Sequence, residues 1–402
     1  MKKFKSKTLL IISNGYPNEK GSVDCTFVKS QVDELSKYFK KIIVIVPTPY
    51  FPKILSRLGF KGYVNRLNNY NYTYKNISVF YPTYFKLPNK ISYKTFYLFN
   101  SVDNLIKKEK IHFDLIHAHF TFPSGYVAAK IKKKYNKKLV VTGHGFDVYD
   151  FPFKNAFNKY KFINTLNGCD YFITVSKKNM IKANSIINVK HKSEVIPNGF
   201  SNNFKTIPQI IARKKLKLPL NKKIILHVGN YIIDIKNQIN LIKAIKELLK
   251  VRDDFILYLV GSGKDELKIK QEINKLNLTK YVEIIGSKPH NEIPLWMSAS
   301  NLLVLPSYFE GNPTVMFESL ACGVPFIGTN VGGIKEIIIS DKYGFLLKNP
   351  TDYKRLASLI NKGLNKKWNK TKIINYSHNF SINKINQSIL NLYYFLFFKR
   401  KE

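Results

Sequence analysis

Acidic residues are scarce in this chain. Asp and Glu number 26 against 66 Lys and Arg, giving a formal net charge of +40 over 402 residues. Such an excess fits an anionic membrane surface or nucleic acid. The lysines are spread along the whole chain, with local clusters such as "KIKKKYNKK", and no zinc-finger or RNP pattern occurs. A membrane surface therefore ranks first, compositional bias next and nucleic acid last. Cysteine is also rare: Cys25, Cys169 and Cys322 are scattered, odd in number and lack CxxC or metal-ligand spacing. That argues against a disulfide scaffold and for a reducing compartment. No run approaches the roughly 20 apolar residues that span a bilayer. The opening "MKKFKSKTLLIISNGYP" has a short apolar run and no small-residue cleavage pattern, so it reads as a buried first strand, not an export signal. A cytoplasmic protein, peripheral at the cytoplasmic face of the cell membrane, is expected. Short-period repeats and long low-complexity linkers are missing too.

What remains is ample core material, 45% hydrophobic and 14% aromatic. The length suits two domains. Continuous Val/Ile/Leu runs alternate with helical patterns such as Phe27–Phe39 and Gln238–Lys250. The strand candidates "TLLIIS", "KIIVIVP", "DLIHAH", "KLVVTG", "YFITVS" and "SEVIPNG" form one series. "KIILHVG", "FILYLVG", "VEIIG", "NLLVLPS" and "VPFIG" form a second. Such strands belong to parallel sheets covered on both faces, so the fold class is α/β with two doubly wound, Rossmann-like domains. The expected boundaries are 1–203, 204–375 and a C-terminal helix in 376–402 packing back across the domains. Residues 48–100 read as an aromatic insertion near an acceptor site. "SILNLYYFLFFKRKE" reads as a packed helix first and a membrane-interface helix second, with Lys399, Arg400 and Lys401 at headgroups.

In parallel α/β sheets, ligands sit beyond the carboxyl ends of strands. Gly15 and Gly21 follow the first strand and let backbone approach a diphosphate. "GHGFD" places His144 and Asp147 in an open loop, and "DLIHAHFTFPSG" offers His117 and His119 on one strand face. These histidines lack close acidic partners in sequence, and no metal site is expected. Lys236 follows another strand and suits phosphate as a point charge. "LVGSGKDE" lacks P-loop spacing and reads as a strand-to-helix turn. In "FEGNPTVMFESLACGVPFIG", Asn312 reads as the N-cap and Pro313 as the first helical residue, with Gly323 and Pro325 ending the helix. Glu310 then lies before that helix and Glu318 in its second turn, flanking amides suited to phosphate.

The segment "PSYFEGNPTVMFESLACGVPFIGTNVGGIKEII" resembles the donor-site signature of retaining glycosyltransferases of family 4, whose hallmark is two Glu separated by seven residues. "SNGYPNEKGSVDCTFVKSQVDEL", "HAHFTFPSG", "TGHGFDV", "VIPNGFSNNF" and "HVGNYIIDIKN" extend the resemblance over nearly the whole chain. The resemblance implies the GT-B fold, two Rossmann-like domains facing across a cleft. It implies a nucleotide-sugar donor and a glycan or lipid-linked acceptor, as in cell-surface polysaccharide or lipopolysaccharide biosynthesis. By that resemblance Glu318 holds ribose hydroxyls and Glu310 sugar hydroxyls, while Asn312, Pro313 and Thr314 present amides to the sugar or diphosphate. Lys236 and Gly21 match phosphate contacts, and His144 matches the His that approaches the transferred sugar. The family pattern has an Arg where this chain has Asn230, and one residue fewer before the lysine. The implied reaction retains anomeric configuration and needs no cofactor or bound metal. The rival readings are a GT-B nucleotide-sugar epimerase and a non-enzymatic anionic-surface or nucleic-acid binder.

Overall fold

The computed structural model describes residues 4–19, 24–50, 70–85 and 94–398. Two compact units divide the chain: Met1–Ile196 with Asn386–Glu402, and Pro197–Ile385.

The first unit carries β1 (Thr8–Ser13), β2 (Lys41–Ile45), β3 (Thr48–Tyr50), β4 (Tyr72–Tyr74), β5 (Ile77–Phe80), β6 (Thr83–Phe85), β7 (Leu115–His119), β8 (Lys138–Gly143), β9 (Tyr171–Thr174) and β10 (Ser193–Val195). Eight of them form one sheet in the order β10-β9-β8-β7-β1-β2-β5-β4, and β3 pairs with β6 separately. Every pairing in the large sheet is parallel except β4 with β5. The second unit carries β11 (Lys223–Val228), β12 (Phe255–Val260), β13 (Val282–Gly286), β14 (Leu302–Leu305), β15 (Phe326–Thr329) and β16 (Gly344–Leu347). Its order is β13-β12-β11-β14-β15-β16, parallel throughout.

Both sheets start in the middle and grow outward, first one way and then the other. The order reverses between β1 and β7, and between β11 and β14. Reversal points of this kind open a crevice at the carboxyl ends of the strands. The central strands read as unbroken apolar runs because helices cover both faces. Leu9–Ile12 and Ile224–Leu226 are fully buried, each side chain worth about 1.5–3 kcal/mol of burial.

The unit boundary falls at 196/197, not at the expected 203/204. Phe200 and Phe204 are the cause, since both are buried in the second unit's core with Leu305 and Phe317. Phe200 also exchanges backbone bonds with Phe380 (3.2 Å) and Ile382 (3.0 Å). Residues 376–385 belong to the second unit. The last helix, Ile382–Phe398, belongs to the first unit from Asn386 onward. Asn386 Nδ2 donates to the Gln31 carbonyl at 2.9 Å. Tyr393 is fully buried, bonded to His117 Nδ1 at 2.6 Å and packed against Phe4 and Phe39. Phe395 near the helix end is exposed, while Lys399, Arg400 and Lys401 lie outside the described residues. Among the described residues no helix is long and apolar enough to cross a membrane.

Within residues 48–100, β4 and β5 extend the edge of the large sheet. Two tyrosines there bond inward: Tyr74 donates to Asp33 Oδ1 at 2.9 Å, and Tyr81 to the Pro17 carbonyl at 2.9 Å. Residues 51–69 and 86–93 of that segment lie outside the described residues. Both tryptophans, Trp296 and Trp368, lie in the second unit.

The Tyr393 contact ties a residue near the chain's end to β7. Tyr393→Phe is expected to cost about 1–2 kcal/mol through the lost hydrogen bond. Tyr393→Ala should cost about 3–5 kcal/mol through the cavity. Denaturant unfolding followed by circular dichroism measures both.

Candidate active site

In the second unit the crevice lies between the ends of β11 and β14. After β11 the chain passes Gly229, Asn230 and the buried Tyr231 into a single helical turn, Ile233–Lys236. Asn237 stops that turn in the left-handed region (φ +59°). Its Nδ2 donates to the carbonyls of Pro306 (2.9 Å) and Pro350 (2.7 Å), fixing the β11 loop to the chain after β14 and after β16. The "GSGKDE" stretch supports the same loop from the other side. Asp265 Oδ2 accepts from the Ile233 amide at 3.0 Å. A side chain at Gly263 would collide with the Tyr231 backbone. The expected strand-to-helix turn is thus also the bracket for Lys236.

Lys236 Nζ reaches Glu310 Oε1 at 2.6 Å. Ser307 Oγ donates to the same oxygen at 2.7 Å, and Thr329 Oγ1 donates to the Ser307 carbonyl at 2.5 Å. Glu310, Ser307 and Thr329 are all buried. Gly332 (φ +56°) lies so close to the Glu310 carbonyl that no side chain fits there. The loops after β11, β14 and β15 therefore hold one carboxylate in one place.

The helix beyond it runs Thr314–Ala321. Asn312 is not its cap. Pro313 occupies the cap position in extended conformation (ψ 123°), with no side-chain cap bond. The Asn312 peptide is instead held by Asn198, whose Nδ2 donates to its carbonyl at 2.8 Å, and the residue before a proline is biased to extended backbone. Gly323 ends the helix with φ +72°, as read from the sequence. Glu318 is buried in the second turn and bonded through Oε1 to His290 Nε2 at 3.0 Å. Sequence reading missed His290, Ser307 and Asn198; "SKPHNE" follows a strand, which was the one available signal for His290. Asn230 is exposed, and its carbonyl accepts from Gln238 Nε2 at 2.9 Å.

In the first unit His144 follows β8. Its Nε2 lies 3.0 Å from His119 Nδ1, and His119 stacks on His117 with centroids 4.5 Å apart. Histidines distant in sequence are thus gathered into one row running to Tyr393. Asp147 does not face outward as expected. It is buried, and its carboxylate accepts from the amides of Thr121 (2.7 Å), His144 (3.0 Å) and Gly145 (2.9 Å). Burial pushes its carboxyl up from the usual range, while those amides pull it back. A side chain at Gly15 would meet Cys25 Sγ at 2.9 Å. Gly21 lies outside the described residues. Among the described residues no group of three His, Cys, Asp or Glu side chains is placed to hold a metal ion.

Solved structures share this pair of doubly wound sheets over almost the whole chain. Sucrose-phosphate synthase from Thermosynechococcus elongatus superposes with a TM-score of 0.77 at 20% identity, covering 97% of this chain and 99% of that one. This is the GT-B fold. Residues 208–380 match the family described as glycosyl transferases group 1, and 42–203 match glycosyltransferase family 4. The putative teichuronic acid biosynthesis glycosyltransferase TuaC of Bacillus subtilis is 31% identical over 363 residues, 88% of each chain. A UDP-Gal:alpha-D-GlcNAc-diphosphoundecaprenol alpha-1,3-galactosyltransferase of Escherichia coli is 28% identical over 261 residues, 62% of this chain and 65% of that one. The chain belongs to the group 1/family 4 glycosyltransferases.

Burial holds several imidazoles neutral: His119 is lowered to about 3 and His227 to about 4. Between those values and the ordinary 6.5, the unfolded chain binds protons that the folded one refuses. Stability should therefore be steady above about pH 6.5 and fall steadily as pH drops toward 3. His119→Phe should flatten that slope in pH-dependent denaturation. Ser307→Ala should cost about 1.5–3 kcal/mol, the worth of a hydrogen bond to a buried carboxylate, read from the same denaturation at pH 7.

Proposed function

We propose that this glycosyltransferase moves a sugar from a nucleotide-diphosphate donor to a glycan or lipid-linked acceptor with retention, without a bound metal. The observation that carries the reading is the Lys236–Glu310 pair at the ends of β11 and β14, with Glu318 behind it on the Thr314–Ala321 helix. Donor binding exchanges partners. The diphosphate takes the ammonium of Lys236, and Glu310, still held by Ser307, turns to the sugar hydroxyls. Amides at the start of the helix receive phosphate oxygens. Glu318, oriented by His290, accepts from the ribose hydroxyls.

At the reacting centre the bond from the anomeric carbon to the phosphate oxygen breaks, and the diphosphate charge is met by Lys236 and the helix amides. The acceptor hydroxyl attacks the same face, and its proton passes to the departing phosphate oxygen. His144, whose Nε2 lies 3.0 Å from His119 Nδ1, is the first unit's candidate for contact with the transferred sugar. The names of two relatives, one in teichuronic acid biosynthesis and one acting on a diphosphoundecaprenol substrate, support a cell-surface glycan or lipid-linked acceptor.

Glu318→Ala should weaken donor binding by about 1.5–3 kcal/mol, from the lost charged acceptor. Calorimetry with a panel of nucleotide-sugars measures this, and unchanged affinity in the folded variant refutes the ribose role. Glu310→Gln and His144→Ala should lower kcat more than they change KM, because both orient the sugar. Activity should survive EDTA. A loss restored by a divalent ion would overturn the metal-free mechanism.

A further inference from the structure

The first unit exposes an unusual cluster of aromatic rings. Phe96, Tyr97, Phe146, Phe153, Phe157 and Tyr160 are 40–57% exposed. They fall together because of the topology. Phe146 and Phe153 follow the carboxyl end of β8 directly. Phe157 and Tyr160 sit in the first turns of the Ala156–Gly168 helix, which runs from β8 back to the start of β9. Phe96 and Tyr97 open the Lys94–Lys108 helix, which runs toward the start of β7. Lys161 links the two helices, its Nζ 3.5 Å from Thr95 Oγ1. All six rings therefore lie at the carboxyl edge of the sheet, the edge that carries His144.

Lysines accompany the rings. Lys154 Nζ lies 4.4 Å from the Phe146 ring centre and Lys182 Nζ 5.1 Å from Phe153, while Lys161, 4.8 Å from Phe157, is itself buried. Lys159, Lys177 and Lys178 are exposed nearby. Of the acids of this stretch, Asp147 is buried, and Asp150 pairs with Lys154 at 3.0 Å within the patch. Exposed aromatic bodies with cationic tips match the interface of an anionic bilayer, where rings enter the headgroup layer and ammonium groups meet phosphate. A second copy of this chain is disfavoured at the same surface, because each copy carries a net charge of +40.

We infer that this carboxyl-edge patch, and not the aromatic C-terminal helix, docks the enzyme on an anionic lipid bilayer. The end of the last helix packs on Phe4, ahead of β1, with Phe397 and Phe398 centroids each 5.8 Å from it. It therefore lies at the amino edge of the same sheet. A membrane there would face the edge remote from His144. Docking at the carboxyl edge brings lipid-borne acceptors to the side where His144 stands. The inference rests on the lipid-linked-acceptor reading only for the purpose of docking.

The test is sedimentation of the full chain with phosphatidylcholine vesicles containing one-third phosphatidylglycerol, at low and high salt. The wild type should pellet at low salt and release at high salt. Phe153→Ser with Phe157→Ser should cut the bound fraction about tenfold or more, and Phe395→Ser should leave it unchanged. In a second arm, Phe157→Trp should be quenched by brominated lipid while Phe395→Trp is not, each read against the wild-type signal of Trp296 and Trp368. Three results would overturn the inference: no binding at low salt, equal loss with Phe395→Ser, or self-association that the double variant abolishes. Vesicle binding needs no sugar transfer, so its failure leaves the donor chemistry standing. Conversely, lost nucleotide-sugar turnover with intact vesicle binding would sink only the enzymatic reading.

Discussion

Burial of the central parallel strands on both faces governs where polar chemistry goes in this protein. Within β1 or β11 a charged side chain would face helices on either side, unpaired and costly. Backbone amides there are spent on neighbouring strands. Polar groups are tolerated once the strand ends, where the chain turns and water or a ligand reaches it. Lys236, Glu310 and His144 all lie in such positions, and none lies inside a strand. His117 and His119 within β7 and His227 within β11 are the exceptions that test the rule. They persist there by staying neutral and bonding to Thr142, Tyr393, His144 and the Val304 carbonyl.

The same constraint explains why the second unit's site is stiff. A lysine and a carboxylate that share a crevice attract each other, and a mobile pair would collapse into many arrangements. Here Asn237 pins the lysine loop to β14, Asp265 caps the turn before Lys236, and Ser307 fixes the carboxylate. Glu310 and Glu318 are each held through Oε1, by Ser307 and Lys236 in one case and His290 in the other. A ligand arriving at this site meets carboxylates whose orientation is already set, which lowers the ordering cost of binding.

Much of this was legible in the sequence, for a physical reason. Strands such as "KIILHV" and "LVVTG" are recognisable because burial on both faces demands an unbroken apolar run. The Glu310–Glu318 spacing and the Gly323 stop are local properties of one helix. What escaped reading depends on contacts between distant segments. Asn312 looks like a cap until Asn198 is seen to hold its peptide. Asp147 looks like a site acid until three amides converge on it. β4 is three residues with two tyrosines, and β5 and β16 are only four residues each, so none of them carries a long apolar run. The boundary at 196/197 turns on two phenylalanines that join a core reaching to Leu305 and Phe317, more than 100 positions later.

The return of the last helix to the first unit bears on how the protein is made. Asn386 bonds to Gln31 across 355 positions, and Tyr393 to His117 across 276. The ribosome delivers Pro197–Ile385 as one uninterrupted stretch, complete with all six of its strands. The earlier-born unit is still waiting at that point for a helix that has not emerged. Domains usually finish in the order of synthesis; in this chain the half that begins first is the half that closes last, with the Tyr393 pocket beside His117 unfilled until then.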